Sequence, residues 1–261
     1  MADLTTVAAV KRYLSGANAS SNQDDLIGAL ITRESGLIEE WCGRKFSITT
    51  QSAKRVNGTG TSVLTVPDAP VISVSSVKDG NTVIPASSDG VAFGWITDED
   101  RIYLMQGKFC YGKKNVVLAY TAGYQESETG IIPAATGNAP PTLTPSTGGT
   151  AIEAVSVVDA NTGGAFAEVS SAPTSGEFSF ANGTFTFAVA DANLSVTMTY
   201  GFVPPAVEQA CIEMVGIDIR NRDNLGINSK SLGGESITYS NNGMNQSVIQ
   251  QLTPYRRRLI A

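Results

Sequence analysis

Few side chains in this chain could do chemistry, and the tightest cluster of them is acidic. The run Asp98-Glu99-Asp100 places three carboxylates together, and carboxylates are the ligands that a hard cation prefers. Neighbouring positions of a strand point to opposite faces, however, so a turn with solvated carboxylates is the preferred interpretation. We therefore expect no metal and no cofactor.

Histidine is absent from all 261 residues. Its absence removes the usual general base, the usual member of a catalytic triad and the commonest zinc ligand. The sequence also lacks a Gly-Lys-Ser/Thr phosphate loop, a Cys-x-x-Cys pair and a Gly-x-Ser-x-Gly elbow. No arrangement of lysines or carboxylates suggests catalysis, so we expect a protein that is not an enzyme.

Three consecutive arginines near the end of the chain, Arg256, Arg257 and Arg258, could bind a partner. They could bind nucleic-acid phosphates, dock on an acidic protein, or form a tail that only increases solubility. Tyr255 and the pair Leu259-Ile260 flank them, and apolar anchors have no use in a tail that is merely solvated. The flanking residues therefore favour docking on a protein.

The composition is that of a folded protein, with 42% hydrophobic and 16% charged residues. A net charge of −6 argues against a protein that coats nucleic acid by charge alone. No stretch reaches the roughly 20 apolar residues of a membrane span, and the first residues do not resemble a signal peptide, so folding in the cytoplasm is expected. Cys42, Cys110 and Cys211 are far apart and predicted to be buried free thiols.

Apolar spacing predicts three main helices. The first covers "TTVAAVKRYL", and the second covers "QDDLIGALITRESGLIEEWCGRKF" with Leu26, Leu30, Leu37 and Trp41 on one stripe and Ile27, Ile31 and Ile38 beside it. The third begins at Pro204-Pro205, where a missing N–H costs little. The residues predicted for the helical core are Leu30, Leu37, Trp41, Cys211 and Met214.

Alternating patterns and Asn-Gly or Asp-Gly turns predict antiparallel strands from Thr49 to Tyr124. A segment rich in Pro, Gly and Thr, 125–149, has the composition of a linker, and further short strands follow over 150–202. We expect an α+β fold, with a three-helix bundle and a small antiparallel sheet formed by residues 1–124 and 203–261. An all-β module is inserted into this core.

The order of these elements resembles the head-to-tail connector (adaptor) proteins of long-tailed bacteriophages. The similarity is carried by "DLTTVAAVKRYL", "DDLIGALITRESGLIEEWCGRKF", "PVISVSSVKDGNTVI", "NVVLAYTAGY" and most of 203–258. It implies a ring, expected to be a dodecamer, which binds the portal, extends the DNA channel and offers a surface to tail-completion proteins. The strands of the insert are similar to immunoglobulin-like add-on modules of phage virion proteins. Gln125–Phe202 itself departs from the connector pattern.

The resemblance also implies roles for two segments. The last residues correspond to the tail that reaches the portal: Pro254, Tyr255, Arg256, Arg257 and Arg258. A Gly/Ser-rich arm over 226–240 corresponds to a flexible loop that makes intersubunit or channel-side contacts, and it includes Lys230, Ser231, Leu232, Gly233, Gly234 and Glu235. A loose surface turn at Gly233-Gly234 is the simpler alternative.

Two functions therefore compete. In the first, the chain is a structural virion protein at the head-tail junction, assembled in the host cytoplasm, with genomic DNA passing through the ring and no membrane involved. In the second, it is a tail or decoration protein whose insert binds a host or capsid surface. Assembly with the portal distinguishes the first from the second.

Overall fold

A computed structural model gives the fold of the chain and describes residues 2–14, 23–98, 100–146, 149–221, 229–232, 235–238 and 244–257. Within these residues the chain forms four α-helices and sixteen strands. The helices pack around one apolar core, and two further cores lie inside two β-rich regions.

The helical layer consists of α1 (Val7–Leu14), α2 (Asp24–Cys42), α3 (Pro205–Asn221) and α4 (Gln246–Leu252). Gly43 ends α2 with a φ of 66°, a left-handed conformation that glycine adopts without steric cost. At the start of α4 the Asn245 side chain accepts a hydrogen bond from the Val248 amide at 2.8 Å. Cys211 and Met214 of α3 lie in the shared core.

The buried face of α2 differs from the predicted stripe. Three isoleucines that are at most 1% exposed form it: Ile27, Ile31 and Ile38. Leu30 and Trp41 lie at the edge of the core, and Leu37 is 45% exposed, so the prediction of Leu37 as a core residue is wrong. The isoleucine face is the one that meets α3, where the Ser35 hydroxyl lies 3.8 Å from Cys211 Sγ.

The first β-region contains two sheets around one core. The four-stranded sheet has the order β1-β7-β3-β4, from β1 (Thr49–Gly58), β3 (Val71–Asp79), β4 (Thr82–Ile84) and β7 (Gly112–Ala122). The three-stranded sheet has the order β2-β6-β5, from β2 (Val63–Thr65), β5 (Gly94–Asp98) and β6 (Arg101–Met105). All of these pairs are antiparallel.

A seven-stranded sheet follows with the order β8-β14-β10-β11-β12-β13-β9. Its strands are β8 (Gln125–Ile131), β9 (Thr142–Leu143), β10 (Thr150–Asp159), β11 (Ala165–Glu168), β12 (Glu177–Ala181), β13 (Thr184–Phe187) and β14 (Ser195–Val203). The two edge strands of this sheet, β8 and β9, approach each other. Ser146, which follows β9, donates from both its amide and its hydroxyl to the carboxylate of Glu128 on β8. The sheet is nearly closed, like a barrel, around its own core.

The predicted fold class, a helical bundle with a small sheet, is wrong. Within the described residues the strands outnumber the α-helices by sixteen to four, so the protein is mostly β. Helical periodicity is local, whereas the extent of a sheet depends on pairs far apart in sequence, such as β8 with β14. The predicted immunoglobulin-like insert is the barrel-like sheet, which also contains a parallel pair, β11 with β12.

The segment 125–149, predicted to be a linker, supplies β8 and β9 to this sheet. Its prolines lie outside both strands, so they remove no ladder hydrogen bond. Composition alone therefore gave the wrong start for the β-module.

The barrel-like sheet is fastened to the rest of the subunit by polar contacts. Glu208 of α3 accepts hydrogen bonds from the hydroxyls of Thr150, at 2.6 Å, and Thr5, at 3.2 Å. The Glu153 carboxylate of β10 accepts one from the Ile48 amide, which lies just before β1. These contacts fix the sheet against both the helical layer and the first β-region.

Candidate functional site: the C-terminal segment

The C-terminal segment, residues 253–257, leaves α4 and folds back onto its own subunit. Val248 and Leu252 of α4 are fully buried in the helical core and anchor the segment. Thr253–Tyr255 then form a 3-10 turn, and the Thr253 hydroxyl donates to the Ile249 carbonyl at 2.6 Å. The position of the segment is thus set by packing at its start.

Tyr255 is held in a cluster of aromatic rings. Its ring centroid lies 6.2 Å from that of Phe46 and 6.3 Å from that of Tyr124, both in edge-on arrangements. Tyr124 also stacks on Phe46 at 5.9 Å and meets Phe202 at 5.8 Å. Such pairs each contribute about 0.5–1.5 kcal/mol beyond burial of area. Burial raises the pKa of Tyr124 above its ordinary value.

The arginines of the segment lie at the C-terminal end of α2. The Arg257 amide donates to the Cys42 carbonyl at 2.7 Å, which satisfies one of the free carbonyls of that helix end. The Arg256 guanidinium lies 5.2 Å from the centre of the Trp41 ring, a cation–π contact. Both arginine side chains remain exposed, and the helix end favours their positive charge.

The predicted site residues lie in the C-terminal tail and in the Gly/Ser-rich arm. Pro254, Arg256 and Arg257 are exposed, Tyr255 is half-buried, and Arg258 lies outside the described residues. Lys230, Ser231 and Leu232 belong to β15 (Ser229–Leu232), and Glu235 belongs to β16 (Glu235–Thr238), which pair as an antiparallel hairpin. Gly233 and Gly234 of the arm lie outside the described residues. The structure thus brings the tail residues together with Trp41 of α2.

Phe46, Tyr124 and Phe202 are functional candidates that the sequence analysis missed. Each lies at the end of a different element: after α2, after β7 and near the end of β14. The available signal was an aromatic residue at the end of each apolar pattern. Sequence alone could not show that the three ends meet, because they are separated by long stretches of chain.

The remaining chemistry of the subunit is modest. Asp100 pairs with Arg101 at 3.7 Å, and Glu99 lies outside the described residues. Among the residues that the structure describes, no group of three or more His, Cys, Asp or Glu could hold a metal ion, and no helix is long and apolar enough to cross a membrane.

The three cysteines differ in environment. Burial raises the pKa of Cys42 to about 11 and that of Cys211 to about 12. Cys110 is exposed, so its predicted burial is wrong. A hydrogen bond with Asp79 and the charge of that carboxylate raise the Cys110 pKa. None of the three thiols is thus activated for nucleophilic attack.

A cleft of about 700 Å³ lies between the helical layer and the barrel-like sheet. Arg12 and Tyr13 of α1, Glu208 of α3 and Asn182 of the β12–β13 turn are among its lining residues. Its lining mixes small polar groups with one cation and one carboxylate. That arrangement does not amount to acid–base or nucleophilic machinery, so the C-terminal segment remains the better candidate site.

Comparison with known proteins gives one family. The model described as "Head completion protein" matches residues 3–136, just over half of the 261-residue chain. No curated protein matches the chain. Among solved structures, a chain of the "Neck of empty GTA particle computed with C6 symmetry" shares 13% identity, with 99% of this chain and 92% of that chain covered and a TM-score of 0.39.

A second solved chain, from the "Neck of native GTA particle computed with C12 symmetry", shares 20% identity over 45% of this chain and 62% of that chain, with a TM-score of 0.25. TM-scores this low support no further conclusion. The family match covers α1, α2, both sheets of the first β-region and β8, which include four of the motifs that resemble phage connectors. That resemblance is confirmed, and the chain belongs to the head completion protein family.

Proposed function

We propose that the chain is a ring-forming, non-enzymatic subunit of the head-tail connector, which binds the portal, extends the DNA channel and offers a surface to tail or tail-completion proteins. Membership of the head completion protein family assigns it a structural role in a phage particle. The observation that carries the finer proposal is the C-terminal segment, because it presents two exposed arginines from a fixed position.

Portal docking uses the guanidinium groups of the segment and not the ring of Tyr255. Arg256 and Arg257 are exposed, while Tyr255 packs against Phe46 and Tyr124 of its own subunit. A segment held in place loses less conformational freedom on binding than a free tail does. Guanidinium groups pair well with carboxylates, so the contact surface on the portal is acidic.

Replacing Arg256 and Arg257 together by Gln tests the docking role. Attachment to purified portal rings should weaken, while the fold of the subunit stays intact because both side chains are exposed. Arg12→Gln is the control, since it removes an exposed cation from α1, outside the C-terminal segment. Attachment equal to that of the unchanged protein would rule out docking through these arginines.

Ring formation is tested on the unchanged protein mixed with portal. The expected result is a closed ring of twelve subunits. In electron micrographs of the particle, which is assembled in the host cytoplasm, the ring lies between portal and tail. The β15–β16 hairpin then makes intersubunit or channel-side contacts, and DNA passes without sequence-specific binding. If the protein stays monomeric with portal present, at every concentration tried, the connector proposal is wrong.

We also propose that residues 125–202 are an insert in a discontinuous core of residues 1–124 and 203–261. The second candidate function rests on this insert, because the barrel-like sheet has an apolar core of its own. As a tail or decoration protein, the chain would bind a host or capsid surface through the insert. An excised insert that binds capsids or host cells by itself favours the alternative, whereas rings of the full chain that seat on portal favour the connector.

A further inference from the structure

Charge is divided unevenly along the chain. No Lys or Arg occurs between Lys114 and Arg220. Residues 125–203, which form the barrel-like sheet, contain seven Asp and Glu and no cation, whereas the remaining residues carry 18 Lys and Arg against 17 Asp and Glu. The net charge of −6 therefore comes from the barrel-like sheet, which cannot attract a polyanion.

A group of exposed cations lies at the opposite end of the subunit. This group, the cationic tip, consists of Arg55, Lys78, Lys108, Lys113 and Lys114. Arg55 and Lys78 flank Val117 in the four-stranded sheet, and the three lysines lie in or beside the loop that leads into β7. None of the five makes an ion pair with a carboxylate that the structure describes.

Large apolar side chains surround the cationic tip. Tyr111 is 88% exposed, Val91 65% and Phe93 52%. Phe93 lies beside Gly107 of the same loop, and Gln106 donates through Nε2 to the Val91 carbonyl at 2.8 Å, which holds the two loops together. Aromatic residues are enriched at protein–protein contact surfaces, so the exposed Phe93 and Tyr111 are suited to such a contact.

The loop of the cationic tip is rigidly built. Asp79 accepts hydrogen bonds from the Cys110 amide at 2.6 Å and from Asn115 Nδ2 at 3.2 Å, and Asn115 Oδ1 accepts one from the Gly58 amide. A Cβ atom at Gly58 would lie 1.9 Å from the Cys110 carbonyl oxygen, so only glycine allows this approach. A preformed loop loses little conformational entropy when it binds.

We propose that the cationic tip of one subunit docks on the barrel-like sheet of an adjacent copy of the same chain. The loop that carries Lys108 leads into the start of β7, and the barrel-like sheet follows the end of this eleven-residue strand. The strand is about 33 Å long and keeps the loop from meeting the sheet within one subunit. A contact between unlike surfaces of identical chains is head-to-tail, and it closes into a ring when the rotation between copies allows. This inference rests on the ring proposed above.

A protein partner fits the cationic tip better than DNA does. Phosphates would satisfy the lysines but give Val91, Phe93 and Tyr111 no apolar partner. The barrel-like sheet offers both kinds of contact, since it has exposed carboxylates at Glu126 and Glu168 and an exposed Val155. The charges of the two surfaces are complementary, which speeds association and sets its orientation.

Lys113→Glu tests the proposal, with Arg12→Glu as a control that changes the net charge equally at an exposed residue of α1, outside the cationic tip. Self-association is followed by sedimentation, with and without portal. Lys113→Glu should weaken association about tenfold or more, because it places like charges together. Arg12→Glu should leave it unchanged. In about 1 M salt the screening length is only about 3 Å, so self-association of the unchanged protein should weaken as well.

Two further measurements complete the experiment. Combining Lys113→Glu with Glu168→Lys should restore association if these residues face each other; Glu126→Lys is the second choice of partner. Maleimide labelling of exposed Cys110, which lies within the loop, should slow when rings form. Slower labelling in rings together with a charge-swap rescue would support the contact.

Rings that form normally with Lys113→Glu would overturn this inference and leave the connector proposal standing. If Lys113→Glu forms normal rings but its free subunit no longer binds duplex DNA, the inference is also overturned, and nucleic acid is the partner of the cationic tip. If the unchanged protein forms no rings with portal, the connector proposal itself fails.

Discussion

The orientation of α2 can be tested at two adjacent residues of similar size. Ile38 is fully buried and Leu37 is 45% exposed, although the sequence pattern favours Leu37 as a core residue. Ile38→Ala should lower the free energy of unfolding by about 2–5 kcal/mol, because it leaves a cavity in the helical core. Leu37→Ala should cost less than about 1 kcal/mol, because much of that side chain already meets water.

Urea denaturation of the isolated subunit measures both values. Trp41 lies on α2 and Trp95 in the three-stranded sheet, so a Trp95→Phe background makes the fluorescence report on the helical layer. With a slope of about 3 kcal/mol per M of urea, Ile38→Ala should lower the midpoint by roughly 0.7–1.7 M. Equal losses for the two variants, or a larger loss for Leu37→Ala, would refute the burial of the isoleucine face.

Three other outcomes can be measured on the same subunit. Tyr255→Ala removes two aromatic contacts, so trypsin should cut after Arg256 faster, while Tyr255→Phe keeps the ring and the slow rate; equal rates would contradict the anchoring of the segment. Native maleimide labelling should modify Cys110 alone, and Cys110→Ser should abolish it, since Cys42 and Cys211 are buried. Burial raises the pKa of the Glu34 carboxyl, so the folded state binds this proton more tightly than the unfolded state does, and stability should fall as the pH rises through that raised pKa. Glu34→Gln should remove the part of this fall in stability that comes from Glu34. A pH profile of stability equal to that of the unchanged protein would contradict the prediction.

The family and the helix positions could be predicted because their signals are local. Pro205 in the first turn of α3 and Gly43 after α2 set the helix ends through their own backbone preferences. The order of short motifs over 3–136 identified the connector family, and the family match confirms it. Neither inference needed the three-dimensional arrangement.

The candidate site depended on the fold. The arginines of the C-terminal segment were visible in the sequence, but the anchoring of Tyr255 by Phe46 and Tyr124 was not. These residues come from elements separated by long stretches of chain, and no sequence periodicity links them. The same applies to the cationic tip, where Arg55 and Lys78 come to lie on either side of Val117 only through strand pairing.

The sequence by itself determined which segments are apolar, roughly where the main helices lie, and which family the chain belongs to. Only the tertiary structure decided which face of α2 is buried and how far the sheets extend. The leucine and isoleucine stripes of α2 are both apolar, so the sequence pattern does not distinguish them. Packing against α3 determines which of the two is buried. The seven-stranded sheet likewise depends on pairs such as Thr199 with Ser127, whose energy is gained only once distant strands meet.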